Sequence, residues 1–120
     1  MAGCVLRVDG VFTGAELPRE FRPLDVVVRR HGDGVVHLTD AEDLKVQCDV
    51  AESFLLENSN HLRSLSQNPL VEGLTLDFGL WQKDALSQFS DFPASVVSAA
   101  GTLSVGLSAS LYLCGDDDEA

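Results

Sequence analysis

Read along the chain, apolar and polar positions change period several times. Cys4-Val5-Leu6-Arg7-Val8 alternates, with Cys4, Leu6 and Val8 on one side and Val5, Arg7 and Asp9 on the other. That period predicts a half-buried strand ended by Asp9-Gly10. From Val11 to Pro23, Gly14, Pro18 and Pro23 punctuate a loop with room for one helical turn. Leu24 to Arg30 is rich in β-branched residues and strand-like, and it runs through His31-Gly32-Asp33-Gly34 into Val35-Val36-His37-Leu38. The two glycines and the Asp supply positions that tolerate positive φ, so the segment predicts a β-hairpin.

Downstream the period lengthens. Ala51, Phe54, Leu55, Asn58, Leu62 and Leu65 share one helical face, predicting a long helix over about 49–67 that stops at Asn68-Pro69. Thr39-x-x-Glu42 has capping-box form, and Asp49-x-x-Glu52 has it more loosely. Residues 43–48 fit either a further short strand or an earlier start of the helix, and the pattern leaves both open. Val71 to Trp81 returns to period two, with Leu74, Leu76, Phe78 and Leu80 against Thr75, Asp77, Gly79 and Trp81. Ser90-Asp91-Phe92-Pro93 opens a second helix, with Pro93 in its first turn, Val96, Val97 and Ala100 inward and Gly101 closing it. Val105, Leu107, Ala109, Leu111 and Leu113 alternate with Gly106, Ser108, Ser110 and Tyr112 as the cleanest strand of all.

The order strand, hairpin, helix, strand, helix, strand predicts an α+β fold. Two helices with one apolar stripe each can cover one face of a sheet. The expectation is a two-layer sandwich: a sheet of four or five strands, mostly antiparallel or mixed, with both helices on one face. One domain over residues 1–115 and an acidic, disordered tail over 116–120 complete it.

Charge narrows the partners. The chain of 120 residues carries 8 Lys+Arg against 19 Asp+Glu, a net charge of −11. A nucleic-acid binder needs a basic face to neutralise phosphates, and an anionic membrane surface repels such a protein. The expectation is therefore no nucleic acid and no membrane; a protein partner of basic surface fits the charge, and solubility alone is its commoner cause. Residues 1–40 hold five Arg against six acids, and the other eighty hold three basic residues against thirteen acids. Cys4, Cys48 and Cys114 are odd in number, contain no C-x-x-C pair and follow no signal-peptide pattern, so three reduced thiols and a cytoplasmic location are expected. Oligomeric state is open, a homodimer included.

No set of residues predicts catalysis. His31 beside Asp33 at the hairpin turn, with His37 six residues on, lacks the three or four convergent ligands of a zinc site, and an exposed turn histidine is much the better reading. There is no G-x-S-x-G elbow, and His31-Gly32-Asp33-Gly34 leads into a strand where a phosphate loop leads into a helix. No cofactor, metal or catalytic residue is assigned, and an enzyme is the least favoured class.

Alternation does predict a surface. If the helices cover the Leu74/Leu76/Phe78 and Val105/Leu107 side, the other side presents Arg7, Arg29, Asp77, Trp81, Ser108, Ser110 and Tyr112, with Asp9, Asp25 and Thr75 beside them. The only Trp and the only Tyr, with two Arg, have the composition of a recognition patch. Trp81 packing beneath a loop and Tyr112 shielding the sheet is the plainer reading of the same pattern.

The runs Val71-Glu72-Gly73-Leu74-Thr75-Leu76-Asp77-Phe78-Gly79, Asp91-Phe92-Pro93-Ala94-Ser95-Val96-Val97, Ala99-Ala100-Gly101-Thr102-Leu103-Ser104-Val105 and Leu107-Ser108-Ala109-Ser110-Leu111-Tyr112 carry a resemblance. Over roughly residues 50–113 the chain resembles small bacterial hypothetical proteins from families of unknown function, some of them immunity-protein-like. The resemblance implies a bacterial origin and an α+β fold, and it carries no activity over. Together these readings favour a non-catalytic protein-interaction or inhibitor module. A small-molecule binding domain using the open sheet face is the alternative.

Overall fold

A computed structural model describes residues 2–13, 17–82 and 91–113 of the chain. Its centre is a five-stranded mixed sheet in the order β2-β3-β1-β4-β5. The strands are β1 (Gly3–Asp9), β2 (Val27–Val28), β3 (Gly34–Thr39), β4 (Gly73–Gln82) and β5 (Val105–Leu113). All neighbours run antiparallel except β4 and β5, which are parallel and joined through a helix. The helices are α1 (Phe21–Leu24), α2 (Leu44–Glu57), α3 (Ser59–Ser66) and α4 (Ala94–Thr102).

The period-two runs become strands with the expected faces. Cys4, Leu6 and Val8 of β1 and Leu74, Leu76, Phe78 and Leu80 of β4 are buried, while Val5, Arg7, Asp9, Thr75 and Asp77 are half-exposed. α2 lies across β1, β3 and β4, and α4 packs on α2 and β5. Both long helices thus share one layer, which makes the α+β two-layer sandwich. One core fills the space between, running from Cys4, Leu6 and Val8 through Leu55, Leu62 and Phe78 to Val96 and Ala100. Gly3 admits the β1–β3 seam: a Cβ there would lie 2.6 Å from the Thr39 carbonyl oxygen, and its φ of +134 suits glycine alone.

Several local expectations are corrected. The hairpin forms, with Gly32 at φ +103 in its turn, yet its first strand shrinks to two residues where Leu24–Arg30 was expected. Phe21 and Leu24, three apart and both buried, pull the chain into the helical turn α1, and Asp25 ends it in the left-handed conformation. Phe12 packs edge-on against Phe21 with ring centroids 4.8 Å apart. Residues 43–48 belong to the helix: Asp43 is its N-cap, its side chain accepting from the Lys45 N–H, so neither Thr39 nor Asp49 caps it. The single helix over 49–67 is two, divided at Asn58. Pro93 precedes α4 as its extended cap residue, Val97 is 46% exposed, and the helix runs past Gly101 to Thr102, where Ser104 takes the positive φ.

Cys4 and Cys48 are buried free thiols. Cys114, Ser90 and the acidic run 116–120 lie outside the described residues. Among the described residues no helix is long and apolar enough to cross a membrane.

Candidate functional site

The sheet face away from the helices gathers the residues singled out by alternation. Arg7 lies on β1 opposite Thr75, and Asp77 on β4 lies opposite Val5 and in register with Ser108 of β5. The Arg7 Nε donates to Asp9 Oδ1 at 2.8 Å, and its Nη1 lies 3.7 Å from Asp77 Oδ2. Ser110 Oγ donates to the other Asp77 oxygen at 3.2 Å, and Thr75 Oγ1 reaches Asp9 at 3.4 Å. One guanidinium thus bridges two carboxylates, each also bonded by a hydroxyl, across three adjacent strands, and the set keeps an excess of negative charge.

At the far end of the strands Trp81 and Tyr112 are register partners, their rings edge-to-face with centroids 6.2 Å apart. Trp81 is half-buried and Tyr112 exposed. Such a pair is worth about 0.5–1.5 kcal/mol beyond the area it buries, so part of its role is to hold β5 on β4.

Arg29 completes the set from the β2–β3 turn. Its Nε donates to Asp33 Oδ1 at 2.9 Å and its Nη2 bonds the second Asp33 oxygen, while His31 Nε2 stands 3.0 Å from Oδ1. The Arg29 hydrogen bonds hold the Asp33 carboxyl below the usual carboxylate range, and the same contact raises the guanidinium. Arg29, Asp77 and Tyr112 line a depression of about 310 Å³ together with Val5, Val35 and His37. Ser108 sits half-buried beside Asp77 in register. All seven predicted residues therefore share the open face. Asp25 does not join them, because it caps α1 instead of standing on a strand.

The larger cavity, about 880 Å³, borders this face at the sheet edge. β2 pairs only with Gly34 and Val35, so from Val36 to Thr39 the β3 strand has β1 on one side and no ladder partner on the other among the described residues. The β3 edge forms one wall and α2 the other. Leu24, Val27, Val36, Leu38, Val50 and Phe54 make the lining apolar, and Asp25, Asp49 and Glu57 stand around it, with Arg29 and His37 at the border of the open face. Sequence reading missed this groove. Val46, Val50 and Phe54 at spacings of four form a second apolar stripe on α2 beside the core stripe Cys48, Ala51 and Leu55, and that doubled width was its visible signal. The shortness of β2 was not visible, since it depends on where Phe21 and Leu24 find their core contacts.

Among the described residues no three His, Cys, Asp or Glu side chains converge as a metal ion requires. His37 instead meets Asp40, Nε2 to Oδ1, at 2.7 Å on the surface. No protein-family model, curated protein or solved structure matches the chain.

Proposed function

We propose that this protein is a non-catalytic interaction module that takes an extended, basic segment of a partner protein into the groove between β3 and α2. The observation that carries this reading is a strand edge without a ladder partner among the described residues, beside an apolar groove with acids around it. An added strand gains main-chain hydrogen bonds from the edge, and its alternate side chains fill the apolar wall. Asp25 and Glu57, with Asp49 shared with Lys45 one helical turn away, supply the complement to Lys or Arg on such a segment. A partner of basic surface also suits the net charge of −11.

A second reading, a small-molecule site on the open sheet face, draws support from the depression beside Tyr112. It is the weaker one, because Arg7 and Arg29 are already engaged by carboxylates there.

The test is a titration of isotope-labelled protein with a peptide that alternates Lys and Val. Amide shifts are expected at Val36–Thr39 and along Val50–Glu57. Replacing Asp49→Lys and Glu57→Lys together should weaken binding by about tenfold, since exposed charge pairs contribute up to about 1 kcal/mol each. Shifts confined to the Trp81 and Tyr112 end of the sheet, or affinity indifferent to both reversals, would refute the groove as the site.

A further inference from the structure

β5 ends the sheet, and among the described residues only β4 pairs with it. Exposed strand edges invite pairing with other chains, and proteins ordinarily blunt them by shortness, charge, proline or a bulge. The opposite edge is blunted: β2 has two residues, and Arg29 and Arg30 follow it. Within its own span β5 has no such protection; the acids Asp116–Glu119 come after it, outside the described residues. Its nine residues, Val105–Leu113, contain no proline and no charged side chain, in a chain with 19 acids.

The middle of this strand reads alike in both directions: Leu107-Ser108-Ala109-Ser110-Leu111. Consider a two-fold axis through Ala109, perpendicular to the sheet. It sets two β5 strands antiparallel with Ala109 facing the partner's Ala109, Ser108 facing the partner's Ser110 and Leu107 facing the partner's Leu111. Opposed residues in such a pair point to the same face, so leucine meets leucine on the helix side and serine meets serine on the open side. One step further out, Tyr112 faces the partner's Gly106, where no side chain competes for the space beside the ring.

Burial follows the same symmetry. Val105 is buried and Leu107 half-buried where α4 covers the strand, whereas Ala109 is exposed and Leu111 is 57% exposed. The two-fold brings the bare end of each strand alongside the covered end of the other. The bare Leu111 then lies against a leucine that already sits under a helix.

We infer that two copies of this chain associate through β5, antiparallel about Ala109, so that their two sheets become one continuous sheet with all helices on the same side. This is an isologous contact that closes on itself and leaves the β3 groove of each copy free. It therefore stands apart from the groove reading.

Sedimentation equilibrium of the full chain over a range of concentrations tests it. The parent is expected at the mass of two chains. Ala109→Lys and Ala109→Glu, each alone, are expected at the mass of one chain, because like charges meet at the axis. An equimolar mixture of the two should return to the mass of two chains, which misfolded variants would not do. Ala109 is exposed, so circular dichroism of each variant should match the parent. A parent that stays a single chain at every concentration overturns the inference whatever the variants do. So does a parent dimer that both substitutions leave intact, since its interface would lie elsewhere.

Discussion

Gln47 is fully buried, and its amide nitrogen donates to the carbonyl oxygens of Ala41 at 2.8 Å and Gly79 at 2.9 Å. One side chain thereby ties the start of α2 to the middle of β4. Nearby in the same core, burial pushes the Cys4 thiol up to about 12 from 9.0, with Cys48 and Asp77 adding smaller contributions in the same direction. A thiol is charged only when deprotonated, so the folded state favours its neutral form. The stability this contributes is complete below pH 9.0 and is lost as pH rises toward about 12. Urea unfolding across that range should show the midpoint of the parent falling more steeply than that of Cys4→Ala. Parallel curves for the two proteins would mean that the thiol does not carry the alkaline loss.

Among the elements, β4 is the best anchored. Leu76 is wholly buried, so Leu76→Ala should cost about 2–5 kcal/mol, the usual range for emptying a packed leucine site. Leu107 on β5 is only half-buried, and Leu107→Ala should cost distinctly less in the monomer. Equal urea midpoints for the two variants would contradict this ranking. The same contrast shows what the sequence could reveal. Alternation fixes which side of a strand faces the core, so Leu74, Leu76, Phe78 and the open-face residues were all legible. It does not reveal how far a layer above extends, which is why Leu111 and Val97 are more exposed than their patterns imply. The helix start at Asp43 was left open beside a strand, and the break at Asn58 escaped, for a related reason. Gln47 breaks the apolar stripe on paper, yet it is buried because two carbonyls receive it. Six of the seven patch residues were found because they lie on regular strands; Arg29 reaches the same face from the β2–β3 turn. The groove depends on a strand that stops early, and no local pattern encodes that.

For the whole molecule, charge is the dominant long-range quantity. Nineteen acids against eight basic residues repel one another in the folded state, and the ion pairs Arg7–Asp9, Arg29–Asp33 and Lys45–Asp49 offset only part of this. Sodium chloride at about 0.1–0.15 M, where the screening length is about 8–10 Å, should raise the thermal midpoint above its low-salt value. A midpoint that falls over the same interval would show that the local pairs outweigh the general repulsion.

The place of β1 in the sheet has a consequence for how the chain comes to be folded. β1 is flanked on both sides, by β3 and by β4, and it precedes both in the sequence. A ribosome releases Cys4, Leu6 and Val8 well before Gly73–Gln82 exists to cover the second edge. During that interval β1 can pair only with β3, and a fragment β2-β3-β1 formed then would have an apolar face and a raw inner edge. Such fragments are prone to aggregate. The segment that relieves the fragment is α2, which is synthesised next and lies across β1 and β3. A nascent chain from which residues up to Ser66 have left the ribosome, while Gly73–Gln82 is still inside it, would accordingly expose the inner edge of β1 beneath α2, a species whose need for a chaperone ends when β4 emerges.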